Sequence, residues 1–352
     1  MTAHIHAIGT AVPDHDIHSI FIGWATGRLE GRERALFERM AGRSGIEHRF
    51  TVLPPTPDGG LQTEAGGFYG GAMPATSVRM ATYAREAPDL ALMAVADLSR
   101  RVSLDGITHL VLASCTGFVA PGIDQIIARR LGLDGSVERT LVGFMGCYAA
   151  VAALRVAHHI ARSDPQARIL VVTVELCSLH MQDTPQLESL LAQLQFADGA
   201  AAALVTAEPG GIAIDRFFAA TLPDSDELIR WHIGDEGFVM HLSGEVPGRI
   251  AQALDTPEMR RAILGNRSAD AITHWAVHAG GRSILDAVEH GLGLGPEALQ
   301  ASRNVLRRYG NMSSSTLLFA LATLMAEPAA VDGIAVAFGP GLAAEGFAIA
   351  GI

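Results

Sequence analysis

Short uninterrupted apolar runs alternate along the chain with longer segments in which apolar residues recur every three or four positions. The short runs predict strands that are buried on both faces, and the longer spacing predicts amphipathic helices. Glycine, proline and charged residues separate the two kinds of segment. The pattern predicts strands at residues 5–12, 107–113, 141–145, 168–174, 200–206, 271–277 and 334–338, and helices at residues 31–42, 81–101, 123–131 and from 148 onward.

The second half of the chain repeats features of the first. Residues 107–110 read Ile-Thr-His-Leu and residues 272–275 read Ile-Thr-His-Trp. The helices that follow end in Arg-Leu-Gly-Leu at 130–133 and Gly-Leu-Gly-Leu at 291–294. Alternating strands and helices with internal duplication predict an α/β protein, a layered α/β/α/β/α sandwich of two similar halves. We place these halves at residues 1–208 and 209–352.

The composition excludes several classes of function. The formal net charge of −11 argues against a nucleic-acid binder, which would need a basic face. All 26 basic residues are arginine, because the sequence contains no lysine. Schiff-base catalysis and a lysine-dependent phosphate loop are therefore excluded.

The cysteines and the N-terminus bear on the compartment. Three cysteines, Cys115, Cys147 and Cys177, are too few and too scattered for a disulfide framework or a CxxC zinc site. Residues 1–13 lack the basic cluster and the apolar segment of a secretion signal. The longest uncharged apolar stretch, residues 140–154, is shorter than the roughly 20 residues that a membrane span needs. We therefore expect a soluble cytoplasmic protein with reduced thiols.

One stretch contains a candidate nucleophile. Residues 141–145 form an apolar run of strand type, Gly146 permits a tight turn, and the alanine-rich segment from Tyr148 onward predicts a buried helix. Cys147 would then lie at a helix N-terminus, which favours an anion, so we expect a lowered pKa for this thiol. From this stretch alone, a small buried core thiol remains the alternative interpretation.

Two residues elsewhere can act with Cys147. His278 ends the predicted strand 271–277, and Asn311 lies at a predicted strand-to-helix turn equivalent to that of Cys147 under the duplication. Two similar halves would bring such corners together, which would join a thiolate, a base and an amide donor. Papain-like proteases use these residue types in the same order, but their cysteine lies near the mature N-terminus.

Five motifs identify a family. They are Gly-Cys-Tyr-Ala-Ala at 146–150, Phe-Ala-Asp-Gly-Ala-Ala at 196–201, His-Ala-Gly-Gly-Arg at 278–282, Tyr-Gly-Asn-Met-Ser-Ser at 309–314 and Phe-Gly-Pro-Gly-Leu at 338–342. With them the chain resembles, over nearly its whole length, the type III polyketide synthases of the chalcone and stilbene synthase family. The resemblance implies a thiolase-like fold and a homodimer.

The resemblance also implies a reaction and its catalytic residues. Cys147 would attack an acyl-CoA thioester and hold the starter as a new thioester. His278 and Asn311 would donate hydrogen bonds to the thioester carbonyl of malonyl-CoA and stabilise the enolate that forms as carbon dioxide leaves. The enolate would attack the Cys147 thioester and extend the chain by two carbons. Acyl-CoA and malonyl-CoA would be the substrates, and no cofactor would be needed.

Coenzyme A contacts follow from the same resemblance. The family's basic helix maps onto Arg39 and Arg43, whereas a further basic position falls on Leu36. Two positions that guard the coenzyme A tunnel map onto Phe196 and Met240, and the flexible thioether suggests a wider opening. Four histidines near the N-terminus lack accompanying cysteine or paired carboxylate ligands, so we interpret them as surface residues and expect no metal: His4, His6, His15 and His18.

The starter depends on the substrate pocket. The combination of Thr116, Ala120 and Cys177 resembles bacterial synthases of long-chain alkylpyrones and alkylresorcinols, in which small residues open a buried tunnel. Ordinary packing of small residues is the alternative interpretation. The resemblance assigns these residues to the pocket: Cys115, Thr116, Ala120, Glu175, Cys177, Phe196, Met240, Ser313, Phe338, Gly339 and Pro340.

Three other functions stay open at this point. An initiating β-ketoacyl-acyl-carrier-protein synthase would share the fold and the three catalytic residues but would use carrier-bound malonate. A type III synthase could also start from malonyl-CoA or an aromatic acyl-CoA. A catalytically silent thiolase-fold partner protein would lack acyl-enzyme formation. The loop at 339–341 favours the polyketide synthase.

Overall fold

The computed structural model describes residues 2–58, 62–327 and 331–351. Each of the two predicted halves, 1–208 and 209–352, therefore contains a few positions that lie outside the described residues. The strands are β1 (Ala3–Ala11), β2 (His15–Asp16), β3 (Phe50–Thr51), β4 (His109–Ser114), β5 (Glu138–Gly143), β6 (Ile169–Leu176), β7 (Asp198–Thr206), β8 (Ile212–Thr221), β9 (Ile229–Gly234), β10 (Gly237–Leu242), β11 (His274–Val277), β12 (Asp332–Gly339) and β13 (Ala343–Gly351). The helices are α1 (His18–Thr26), α2 (Gly31–Ala41), α3 (Thr76–Ser99), α4 (Ile123–Arg130), α5 (Ala149–Ser163), α6 (Leu187–Gln193), α7 (Val246–Leu254), α8 (Pro257–Leu264), α9 (Arg282–Leu292), α10 (Gln300–Tyr309) and α11 (Ser315–Met325).

Two half-sheets form the centre of the fold. The first half has the strand order β5-β4-β6-β7-β1, and the second has the order β8-β13-β12-β11. An antiparallel pairing of β1 with β8, in which Ala3 lies opposite Ile214, joins them into one sheet of nine strands. The parallel pairs are β4 with β5, β4 with β6, and β11 with β12.

Alternate strand residues separate the layers. In β4, Leu110 and Leu112 pack in the cluster that contains α3, whereas Val111 packs in the cluster that contains α5 and α11. In β12, Val336 packs towards α9 and Ala337 packs towards α5 and α11. Successive side chains of a strand point to opposite faces, so α5 and α11 form the central helical layer. The result is the predicted α/β/α/β/α order.

Except for the strand predicted before Asn311, the strand and helix predictions hold in type, but their ends shift and some elements were missed. The predicted strand at 141–145 is β5, which starts at Glu138 because Glu138 pairs with His109 of β4. The pattern missed β8 and β13, because Asp215 and Arg216 interrupt the first and Glu345 and Gly346 interrupt the second, so neither is an uninterrupted apolar run. Of the helices in the described ranges, none is long and apolar enough to cross a membrane.

Candidate active site

Cys147 lies at the corner between β5 and α5. Residues Gly146–Tyr148 form a 3₁₀ turn between the two elements. Gly146 has φ +71°, and a Cβ at this position would lie 2.5 Å from Cδ of Pro340. The corner therefore needs glycine both for its backbone conformation and for its contact with the loop that follows β12. This places the Cys147 side chain in the interior, with 8% of the residue exposed.

His278 follows β11 directly and is almost fully buried. Its backbone N donates to the carbonyl of Val336 at 2.8 Å, which continues the pairing of β11 with β12 by one residue. Within the described residues, neither ring nitrogen of His278 has a hydrogen-bond partner. Buried polar groups normally have partners, so these two nitrogens are available to a ligand.

Asn311 is held in one orientation. Its Nδ2 donates to the carbonyl of Gly280 at 3.2 Å, and its Oδ1 accepts from the backbone N of Ser313 at 2.9 Å. The prediction of a strand before Asn311 is wrong, because α10 precedes it. Apolar residues of α10 recur at helical spacing, which favours a helix there. Backbone hydrogen bonds of 2.8 and 2.9 Å to the segment at 195–197 still fix its position.

The three predicted catalytic residues meet in one pocket. Cys147, His278 and Asn311 line a cavity of about 30 Å³, together with Phe196, Met240, Phe338 and Gly339. A Cβ on Gly339 would lie 2.6 Å from the ring of Tyr148 and 3.4 Å from the backbone N of Cys147. Residues from both halves of the chain therefore converge on one small space next to the thiol.

Burial controls the ionisation of the thiol and the imidazole. Desolvation raises the pKa of Cys147 to about 12, although its hydrogen bond with the side chain of Ser313 opposes the shift. The expectation of a lowered pKa is therefore wrong for the unliganded site, because desolvation is the largest contribution and raises the pKa. Desolvation also lowers the pKa of His278 to about 3. At neutral pH the site holds a thiol and a neutral imidazole with one donor and one acceptor.

A second small cavity continues from the Cys147 side chain. It is lined by Cys115, Thr116, Gly146, Cys147, Cys177, Phe196, Trp231, Met240, Ser313 and Pro340. Trp231 of β9 was missed from the sequence; its Nε1 donates to the carbonyl of Cys115 at 3.1 Å. Trp231 stands between polar residues of a hairpin, so the sequence gave no indication that its side chain lines a cavity.

Glu175 does not line this cavity itself, but it contacts two residues that do, Cys115 and Thr116. The residue is fully buried and accepts hydrogen bonds from the backbone N of Cys115 at 3.0 Å and the hydroxyl of Thr116 at 2.9 Å. The hydroxyl of Ser314 is its third donor. Burial raises the pKa of Glu175 to about 7 in spite of these three donors. Its contacts hold Cys115 and Thr116, which line the cavity, in position.

Ala120 does not line any of the cavities described here, so its place in the substrate pocket stays a prediction. The residue is exposed and precedes a cis bond to Pro121. After β4 ends at Ser114, the chain runs outward to the surface, where Phe118 is 39% exposed. Ala120 follows Cys115 and Thr116 closely in the sequence, and this proximity gave no indication that the chain turns outward between them.

A third, narrow cavity opens beyond Cys177. Its volume is about 60 Å³, and it shares Cys177, Phe196, Trp231 and Met240 with the cavities already described. The rest of its wall comes from α1, the segment at 62–69, the turn after β6, and α6. These wall residues are Ile17, Phe21, Arg49, Gln62, Tyr69, Ser178, His180, Met181, Gln182, Ser189 and Gln193.

The predicted coenzyme A residues line an open surface pocket of about 760 Å³. Arg39 and Arg43 project from α2 and the turn after it, and Leu36 lies beside them. Gln195 lines this pocket, and the next residue, Phe196, lines the three inner cavities. The surface pocket and the thiol thus lie on two sides of the same short segment.

The N-terminal histidines do not all lie on the surface. His4 and His18 are buried, which corrects the interpretation of all four as surface residues. His18 accepts a hydrogen bond from Nε of Arg49 at 3.1 Å, and burial lowers the pKa of His18 to about 4. In the described ranges, no group of three or more His, Cys, Asp or Glu side chains is placed to hold a metal ion.

Two family models match the chain. Residues 1–209 match the N-terminal domain of chalcone and stilbene synthases, and residues 213–352 match their C-terminal domain. The chain is 35% identical over 272 residues to the alpha-pyrone synthesis polyketide synthase-like Pks18 of Mycobacterium tuberculosis, covering 74% of this chain and 68% of that protein. The Mycobacterium bovis protein of the same name matches equally.

Solved structures agree with the family models. The C-terminal type III polyketide synthase domain of Steely1, a type I/III hybrid from Dictyostelium, aligns with TM-score 0.90 and 26% identity over 100% of both chains. PKS-I from the brown alga Ectocarpus siliculosus aligns with TM-score 0.88 and 28% identity over 100% of this chain and 98% of that one. These matches assign the chain to the type III polyketide synthases instead of the initiating β-ketoacyl-acyl-carrier-protein synthases. The chain belongs to the chalcone and stilbene synthase family and is a type III polyketide synthase, a transferase that condenses acyl-CoA and malonyl-CoA units.

Proposed function

We propose that this enzyme extends a long-chain fatty acyl-CoA starter with malonyl-CoA to give alkylpyrones or alkylresorcinols. The observation that supports this starter is the narrow cavity beyond Cys177, which continues from the space beside Cys147. Apolar side chains such as Phe21, Met181 and Trp231 form much of its wall. The similarity to a protein named for alpha-pyrone synthesis also supports the product class.

Loading of the starter is the first proposed step. The sulfur of Cys147 attacks the thioester carbonyl of the acyl-CoA, and its proton passes to the neutral imidazole of His278. The proton then goes to the departing sulfur of coenzyme A, so the acyl group is held as a Cys147 thioester. Because burial raises the pKa of this thiol to about 12, attack needs a proton acceptor within the pocket.

Condensation is the second proposed step. One Nδ2 hydrogen of Asn311 is used by Gly280, which leaves the other for the carbonyl oxygen of malonyl-CoA. The N–H of neutral His278 is a second donor, since neither ring nitrogen has a hydrogen-bond partner among the described residues. Fixed donors at this oxygen stabilise the enolate as carbon dioxide leaves. The enolate carbon attacks the Cys147 thioester, which leaves the extended chain on coenzyme A and releases the Cys147 sulfur as a thiolate for another cycle.

The proposed reaction uses coenzyme A thioesters as substrates and no further cofactor, because decarboxylation supplies the carbanion. Arg39 and Arg43 are the proposed phosphate ligands, since both line the open pocket and, in the described ranges, neither guanidinium pairs with a carboxylate. A cytoplasmic location is also part of the proposal. Three free cysteines in the structure suit a reducing compartment.

A starter panel tests the proposal. Each methylene buried in the cavity gains about 0.8 kcal/mol, so we expect kcat/KM to rise with starter length and to exceed that for short or coumaroyl-type starters. Cys177→Phe would fill the opening and should lower kcat/KM for long starters at least tenfold while sparing short ones. Cys177→Ser keeps the volume and serves as the matched control.

Two results would overturn the starter assignment. One is a wild-type preference for malonyl, short or aromatic starters, measured by product analysis and kcat/KM. The other is an unchanged chain-length profile in Cys177→Phe. Either result would favour ordinary packing of small residues around Cys177 and would leave the family assignment intact.

A further inference from the structure

The open surface pocket beside α2 contains a third guanidinium that comes from the other half of the chain. Arg282 is the first residue of α9 and lines this pocket with Arg39 and Arg43. Its Nη1 donates to the backbone carbonyl of Arg43 at 3.2 Å, so the two arginines lie side by side although 239 positions separate them. Leu36, in the same wall, offers no charge.

Arg282 stays available to a ligand. About half of its side chain is exposed, at 54%. Its nearest carboxylate is Asp286, whose Oδ2 lies 3.6 Å from Nε, a long and weak contact. Asp286 also pairs with Arg303, with Oδ1 2.8 Å from Nη2. Since Arg303 takes part of that negative charge, the pocket keeps an excess of positive charge in a protein of net charge −11.

Arg282 lies four residues after His278, so one short segment connects the surface pocket with the catalytic pocket. The chain leaves His278, passes through Gly280, which lines the catalytic pocket, and reaches Arg282 in the surface pocket. A Cβ on Gly281 would lie 1.9 Å from Oε1 of Gln195, so the two segments that separate the pockets are in close contact. A substrate that reaches the thiol from this pocket has to pass close to Arg282.

We propose that Arg282 binds a phosphate group of the coenzyme A thioesters, together with Arg39 and Arg43; this inference rests on the proposed function. Arginine binds phosphate through paired N–H donors. Coenzyme A carries a diphosphate and a separate 3′-phosphate, whereas the arm of a carrier protein carries one phosphodiester. Three arginines that line one pocket therefore favour free coenzyme A thioesters over carrier-bound ones.

Substitution of Arg282 tests the proposal. Arg282→Gln should raise KM for malonyl-CoA about tenfold, equivalent to about 1.4 kcal/mol, with kcat nearly unchanged. The same variant should leave kcat/KM for malonyl-pantetheine unchanged, because that substrate has no phosphate. The dissociation constant of coenzyme A itself, measured by calorimetry, should rise by the same factor. Arg282→Lys should recover part of the loss.

A matched control separates charge in this pocket from general surface charge. Arg34 lies on α2, is similarly exposed at 55% and pairs with Glu38 instead of lining the pocket. Arg34→Gln should therefore keep the wild-type KM and the wild-type dissociation constant for coenzyme A.

Three outcomes would overturn the inference. They are an unchanged KM for malonyl-CoA in Arg282→Gln, an equal loss with malonyl-pantetheine, and an equal effect of Arg34→Gln. In each case the wild type still turns over malonyl-CoA, so the proposed function survives. Failure of the wild-type enzyme to use any coenzyme A thioester would instead refute the proposed function, and the inference with it.

Discussion

The side chain of Asn311 is fixed by two hydrogen bonds that leave one donor hydrogen for substrate. Loss of one donor to a developing oxyanion typically costs about 10²–10³-fold in rate. We therefore expect Asn311→Ala to lower malonyl-CoA decarboxylation by that factor while Cys147 is still acylated by the starter. Carbon dioxide release measures the first step, and the intact mass of the enzyme measures the second.

Two variants control this experiment. Cys147→Ala should show no acyl adduct, because it removes the proposed attacking sulfur. Asn304→Ala, on α10 and outside the pocket, should keep both steps. Asn311→Ala with wild-type decarboxylation, or with acylation lost to the same extent, would contradict the assigned role.

At the scale of elements, two loops must fit together around the thiol. The corner before α5 and the loop after β12 touch where Gly146 meets Pro340. Gly146→Ala should strain the backbone, which costs about 1–2 kcal/mol at positive φ, and should also push against Pro340. Because the displaced group is Cys147 itself, we expect kcat/KM to fall about 10²-fold.

Gly132 supplies the matched control for this prediction. It also has positive φ, at +66°, but a Cβ there would meet nothing within 4 Å. Gly132→Ala should therefore show a similar loss in the free energy of unfolding, measured by denaturant titration, and normal kcat/KM. Equal activity losses in the two variants would refute the argument from the loop contact.

At the scale of the whole molecule, the edge of the sheet is exposed. Strand β5 pairs with β4 on one side and, within the described ranges, has no neighbour on the other. Leu141 on β5 is 47% exposed, and the neighbouring Phe118 is 39% exposed. Free strand edges with apolar side chains favour pairing with another chain. We therefore expect a homodimer through this edge.

Light scattering measures this prediction. A dimer would have twice the chain mass of 37.0 kDa, and Leu141→Glu should shift the population towards the single chain. Met93→Glu is the control, because Met93 is equally exposed, at 48%, but lies on α3 away from the edge. A wild-type protein that scatters as one 37.0 kDa species would rule the dimer out.

The sequence by itself determined many of the strands and helices, the layered class and the candidate residues of the chemistry. Periodicity reports which face of a helix or strand is buried, so β4, β6 and α4 were predicted within two residues of their ends. Motifs identified Cys147, His278 and Asn311, because their residue types and order reflect the reaction. The structure places these three side chains in one pocket, and their catalytic roles remain proposals.

The tertiary structure alone decided several other properties. Burial raises the pKa of Cys147, whereas the local sequence indicated only the helix N-terminus that would lower it. Three further features depend on the packing of distant segments. They are the exposed position of Ala120, the hydrogen bond between Glu175 and Cys115, and the hydrogen bond between Arg282 and Arg43. The loss of hydration and the contacts between distant segments arise only when the layers pack together. A local sequence pattern therefore does not predict them.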